Sequence, residues 1–343
     1  MKWEQVEKIA NAVLYEGYIL YPYRKSAVKN QQRWNFGTLY PRAYSEARGG
    51  EEAFRTQTEC LISANERTHV DVNVRFLHWL QRDVCELTPG KDYRVVDALD
   101  VNGHRLQTWQ EAVERSVALP GFELNSILHQ PQTVAFSFGA TCETEPLHDS
   151  RGHVGAVVRT QQLVEGSVEA SAECLDEDEG LFKVRVSTSN LTALDHPNNR
   201  DQALARALVS AHTLLGVREG EFVSLLDPPE QFRATAAACQ NVGVFPVLVG
   251  ADGERDTMLS SPIILYDYPQ VAPESAGDFF DGTEMDEMLT LRVLTLTDEE
   301  KREMRFADDR AWQILERTEL LPQEQLLKVH GAVRGFRRVT EKE

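Results

Sequence analysis

Val70-Asp71-Val72-Asn73-Val74-Arg75-Phe76 alternates apolar and polar side chains without a break. Successive side chains of a strand point to opposite faces, so this register gathers the apolar groups on one side and predicts a half-buried β-strand. Asn102-Gly103, between Val95–Val101 and Leu106–Trp109, signals a type I′ turn, which requires positive φ at both central positions. Thr133–Phe138, Val154–Leu163, Ser167–Cys174 and Leu181–Ser187 are further strand candidates, with acidic Asp176-Glu177-Asp178-Glu179-Gly180 as the hairpin tip joining the last two. Short strands at this spacing predict an antiparallel sandwich or meander over residues 55–195.

Both flanks change period. Trp3, Val6, Ile9, Ala10, Val13 and Leu14 recur at helical spacing, and Gly17 stands where the helix should stop. Tyr18-Ile19-Leu20-Tyr21-Pro22-Tyr23 follows as an extended aromatic segment, which Pro22 confines to an edge or bend. Beyond Asn190, the positions Leu204, Ala207, Leu208, Ala211, Leu214 and Leu215 match one helical face capped by Gly216. Asp227-Pro228-Pro229 is read as another helix start. Val244–Val249 reads as a strand, Asp252-Gly253 as a turn, and Ser261–Tyr266 as the partner strand. Thr297 and Glu300 have capping-box spacing, and Trp312, Leu315, Leu326 and Leu327 fall in later helices. The expected fold is α+β: a helix and aromatic–basic segment in 1–54, an antiparallel β region in 55–195, and a mixed, helix-rich region in 196–343.

The chain has 343 residues, 42% of them apolar and 26% charged, an ordinary globular balance able to bury a substantial core. Its net charge is −18, which disfavours nucleic acid and anionic membrane surfaces as partners. Residues 1–50 run against the trend, with eight Lys or Arg against four Glu, a local +4 that leaves −22 for the rest. No apolar run is long enough to span a bilayer, and the N-terminus lacks the apolar core of a signal peptide. Five scattered cysteines fit reduced, mostly buried thiols, so a cytoplasmic location is expected.

Several constellations could carry chemistry. Residues 142–153 gather Cys142, His148, Asp149 and His153 with two glutamates, all competent ligands, yet the spacing matches no closed zinc pattern. These residues are the metal candidates, with a metal-binding or metal-dependent role as the alternative function. No stoichiometric metal or other cofactor is expected. His212 reads as a structural histidine on the 204–215 helix, and Asp195-His196-Pro197 as turn chemistry. Cys239 has no cationic neighbour in sequence and reads as packing. Serine-hydrolase elbows, P-loops and dinucleotide fingerprints do not occur, so an enzyme is not the favoured class.

Tyr21, Tyr23 and Trp34 interleave with Arg24, Lys25, Lys29 and Arg33, the aromatic–cationic mixture that protein interfaces use as anchors. The opposite pole begins at Ser260 and includes Tyr266 and Tyr268. It continues into Glu274, Asp278, Asp281, Glu284, Asp286 and Glu287, with no Lys or Arg among these fourteen positions. The two segments are expected either to meet each other or to bind a protein partner.

Two sets of stretches also share a likeness. They are Ala12–Arg24 with Gln32–Gly37, and Ser261–Pro269 with Ala272–Ser275, Phe280–Glu284 and Leu294–Lys301. Together they resemble an uncharacterised bacterial family associated with nickel–iron hydrogenase gene clusters, over most of the chain. The resemblance implies a supporting role, in assembly, maturation or accompaniment of a hydrogenase, and brings no catalytic or ligand residues with it.

Overall fold

The computed structural model describes residues 3–16, 18, 30, 33–34, 36–270, 290, 292–307 and 309–322. The Val70–Phe76 alternation lies inside a much longer strand, β1 (Arg55–Leu87). Ten further strands join it in one 11-stranded sheet. They are β2 (Tyr93–Val96), β5 (Trp109–Glu123), β6 (Gln132–Phe138), β7 (Thr141–Asp149), β8 (Gly152–Gln161), β9 (Val164–Asp176), β10 (Leu181–Asn190), β11 (Leu208–Val223), β12 (Phe245–Leu248) and β13 (Thr257–Ser261). A separate hairpin pairs β3 (Ala98–Val101) with β4 (His104–Gln107). Its turn has φ of +51° at Asn102 and +81° at Gly103, as the type I′ reading requires.

β1 organises the sheet. It pairs antiparallel with β10, β11, β5, β8 and β2. Leu61–Ser63 bond to both β10 and β11, His69–Arg75 to both β5 and β11, and Val84–Glu86 to both β2 and β8. One edge of β1 therefore carries β10, β5 and β2 in turn, and the other carries β11 and β8. A straight strand of this length would run about 100 Å, several times the radius of about 20 Å expected for a chain of this size, so it must bend. The register slips between Ala64 and His69, where Thr68 Oγ1 donates to Glu219 O, and again between Arg75 and Leu77. Such bulges bend a strand and strengthen its twist.

Val70, Val72, Val74 and Phe76 enter the largest core, against Leu124 and Ile127 of the short helix α3 (Leu124–His129) and the inner faces of β9–β11. Helix α1 (Trp3–Tyr15) lays Val6, Ile9, Ala10 and Val13 on the opposite face, over Leu214, Val247, Val249 and Leu259. A third cluster joins Leu14, Tyr15 and Trp109 to α6 (Asp298–Ala307) and α7 (Asp309–Glu319) through Met304, Ile314 and Leu315. Thr297 opens α6 as its spacing predicts: Glu300 Oε2 accepts from Thr297 N at 2.8 Å. Helices α2 (Arg42–Ala47), α4 (Arg200–Leu204) and α5 (Arg233–Ala237) are single turns or little more.

The α+β class holds, but a helix-rich C-terminal region is not supported by the described residues. Residues 208–223 form a strand, not the helix that the leucine spacing suggested. Every residue of Leu208–Val217 is buried, because one face meets the main core and the other meets α1 and the third cluster. A strand covered on both faces has no alternation to display, and its apolar run mimics a helical face. The partner of β12 is Thr257–Ser261, four residues earlier than expected. Asp227 does not cap a helix either, since the 3₁₀ turn Glu230–Phe232 begins after Pro229. Leu326 and Leu327 lie outside the described residues.

The close approach of β8 to β1 gives a direct test. A methyl group at Gly155 would sit 2.1 Å from the carbonyl oxygen of Cys85. Gly155→Ala should lower stability by about 2 kcal/mol or more in urea unfolding. Gly139→Ala, with nothing within 4 Å of the added carbon, should change it by less than about 0.5 kcal/mol.

Candidate functional site

Arg33 and Trp34, expected to meet either the acidic segment of the same chain or a protein partner, lie inside the protein with relative exposures of 3% and 5%. The guanidinium donates to Tyr18 O at 2.7 Å and to Gln110 O at 2.6 Å. It lies 3.8 Å from the ring centre of Trp109 and 4.6 Å from that of Trp34. Desolvated cation–π contacts of this kind stabilise by about 1–2 kcal/mol. Trp34 holds a φ of +71°, and Thr38 Oγ1 donates to its carbonyl at 2.6 Å. The aromatic–basic segment is thus docked at this point on β5 of its own chain. Tyr21, Tyr23, Arg24, Lys25 and Lys29 lie outside the described residues, as does the acidic run 274–287.

Glu114 on β5 is a neighbouring hub that sequence spacing did not reveal. Its carboxylate accepts from Tyr15 Oη at 2.5 Å and Arg75 Nη2 at 3.3 Å, and Arg310 Nη2 approaches to 3.5 Å. Burial and this hydrogen bond raise the Tyr15 phenol well above the ordinary tyrosine range. Arg310 also stacks 3.4 Å from the Tyr15 ring centre, so one carboxylate ties α1 and α7 to the sheet.

The second expected segment leaves β13 at Ser261. A methyl group at Gly37 would lie 2.5 Å from Pro262 Cγ, so the chain just after Trp34 touches the start of this segment. Phe36, Ile264 and Tyr266, near that contact in sequence, are exposed at 46%, 75% and 85%. Tyr268 turns the other way, partly buried against the main core with φ +56°. Its N–H donates to Leu248 O at 2.7 Å, and Asp267 accepts from Leu248 N at 2.8 Å and from Ser224 Oγ at 2.5 Å. Phe36 and Ile264 were not singled out by the sequence, and only their exposure marks them as surface groups.

The metal candidates separate. Cys142 is the second residue of edge strand β7, beside Thr160 and about 20 Å along the strand from His148. Asp149 is taken by Arg151, whose Nη2 and Nε reach it at 2.6 and 2.9 Å, and this pairing lowers its pKa. His148 and His153 face each other across the hairpin with ring centres 5.1 Å apart. Among the described residues, no group of three or more His, Cys, Asp or Glu could hold a metal ion.

His212 is wholly buried in β11, a structural histidine as read, though on a strand. Its Nδ1 donates to Ser210 O at 2.9 Å. His78 is equally buried and its Nε2 donates to Gln162 O at 2.8 Å. Asn199 N donates to His196 O at 3.1 Å, the turn expected there, beside a groove of about 420 Å³. Cys239, half-buried, donates to Thr235 O at 3.7 Å, and burial pushes its pKa up to about 11, away from thiolate chemistry. No protein-family model matches the chain, and no curated protein matches it in sequence. Among the described residues no helix is long and apolar enough to cross a membrane.

Burial lowers the pKa of both His78 and His212 from 6.5 to about 4. Both are neutral in the folded protein at pH 7. As pH falls below 6.5 the unfolded chain binds protons that the folded one refuses, so stability present above pH 6.5 is lost progressively down to about pH 4. Each histidine should contribute up to about 3 kcal/mol of that loss. Urea unfolding between pH 7.5 and pH 4.5 should show the decline, and His212→Leu should make it shallower.

Proposed function

We propose that this is a non-catalytic accessory protein that acts by holding another protein, and that its docking surface is Phe36, Ile264 and Tyr266 around the Gly37–Pro262 contact. The observation carrying this reading is the exposure of Ile264 and Tyr266 on a segment whose base is braced: Asp267 and Tyr268 bond to β12 while the two side chains stand out. A large aromatic and a branched aliphatic group held outward, without partners among the described residues, suit the centre of a protein interface. The resemblance supplies the partner class, a component or maturation factor of a nickel–iron hydrogenase in the cytoplasm. The negative net charge supports a protein partner over nucleic acid or an anionic membrane.

Ile264→Asp combined with Tyr266→Asp should leave urea unfolding within about 0.5 kcal/mol of the parent chain, since neither group is buried. The same double variant should lose the hydrogenase component that co-purifies with the parent from its native cell. An unchanged set of co-purifying proteins would remove the support for this surface.

A further inference from the structure

We propose that His148 and His153 form a surface site for one divalent transition-metal ion, held by two imidazoles and otherwise by water. The pair is directly cross-strand at the end of the β7–β8 hairpin, where facing side chains approach most closely. The rings are nearly parallel, 28° apart with centres separated by 5.1 Å. His153 Nε2 lies 2.9 Å from Gly155 O and 3.2 Å from Tyr93 Oη. A carbonyl can only accept, so the proton sits on Nε2 and the lone pair is on Nδ1. A hydrogen bond that fixes the tautomer and leaves the other nitrogen free is the usual outer-shell arrangement of a metal-binding histidine. His148 is exposed, and its ring nitrogens make no hydrogen bond to the protein among the described residues, so its ring can rotate toward the ion.

The frame beneath the pair is fixed. Asn102 Nδ2 donates to His148 O at 2.9 Å, and Asp149 accepts from Arg151 N at 2.7 Å and from its guanidinium at 2.6 and 2.9 Å. Those contacts hold both backbones of the hairpin end and lower the ordering needed on binding. They also take Asp149 out of the ligand set, which makes this a two-ligand, exchangeable site rather than a closed structural one. Imidazole pairs of this kind bind Cu²⁺ more tightly than Zn²⁺. The positions held by water remain open to a ligand from a second protein. This site is independent of the docking surface proposed above.

The test uses the tag-free full chain, titrated with Cu²⁺ and with Zn²⁺ by calorimetry at pH 7.5. One Cu²⁺ should bind per chain, with Zn²⁺ weaker. His148→Ala and His153→Ala should each reduce Cu²⁺ affinity about tenfold or more, because each removes one arm of a chelate. His129→Ala, an exposed histidine elsewhere, should not. On the unsubstituted chain, substoichiometric Cu²⁺ should broaden the ring-proton NMR signals of these two histidines first, a readout that survives even if a variant folds poorly. Equal Cu²⁺ affinity in the parent and in the chain carrying both His148→Ala and His153→Ala, or broadening that begins at other histidines, would overturn the proposal.

Discussion

Five strands take their hydrogen bonds from one, and the rest of the molecule follows from that dependence. β1 can serve both edges at Leu61–Ser63, His69–Arg75 and Val84–Glu86 because it bends where the register slips at 64–69 and 75–77. At the first slip β11 deforms with it: Glu219 adopts φ +56°, and Thr68 fills the gap by donating to the Glu219 carbonyl. The bend satisfies backbone groups that a simple interruption would leave exposed. It also lets β10, β5 and β2 share one edge without colliding, so a single strand holds together pieces far apart in sequence.

A sheet built this way has two faces to cover, and the cover differs in kind. The face of Val70, Val72, Val74 and Phe76 is closed by apolar groups from β9–β11 and α3, where burial alone is stabilising. The opposite face carries Asp71, Asn73 and Arg75, so its cover must satisfy charge as well as area. α1 and α7 are fastened there through Glu114, with Tyr15, Arg75 and Arg310 converging on one carboxylate. Arg33 poses the harsher case, because it is buried against backbone carbonyls. Removing a guanidinium from water costs several kcal/mol. Two charge-assisted bonds of about 1.5–3 kcal/mol each and the stacking on Trp109 offset much of that cost.

What could be read in the sequence follows from which faces are covered. Val70–Phe76, the Asn102-Gly103 turn, the acidic 176–180 tip and the Thr297–Glu300 box each carry a local signal that neighbours do not overwrite. β11 lost its signal because α1 covers its second face, and β7 because exposed, polar Thr141–Pro146 shows no strand pattern until its pairing with β8 is known. β5 went unread although it is fifteen residues long, since Glu111, Glu114 and Arg115 break the apolar pattern to meet arginines and other polar groups that only the fold brings near. The metal candidates were legible as chemistry but not as geometry: only pairing reveals that His148 faces His153 and that Cys142 lies a strand's length away. Arg33 and Trp34 were legible as anchors, but not as anchors to the chain's own β5.

Tyr266 and Tyr268 show most clearly why residue type alone does not define a surface. Two residues apart in a regular strand, they would share a face. The left-handed backbone at Tyr268 breaks that rule, sending one ring inward and leaving the other 85% exposed. The same turn blocks the free edge of β12. Val249 N–H points inward to Thr257 O, so the groups of Leu248 and Pro246 point outward. Leu248 is bonded to Asp267 and Tyr268, and Pro246 has no N–H to offer. An edge closed in this way cannot accept an added strand, the commonest accidental mode of association for an open sheet. From outside, this corner can therefore be engaged only through side chains, and Ile264 and Tyr266, with Phe245 of β12, stand in solvent there among the described residues.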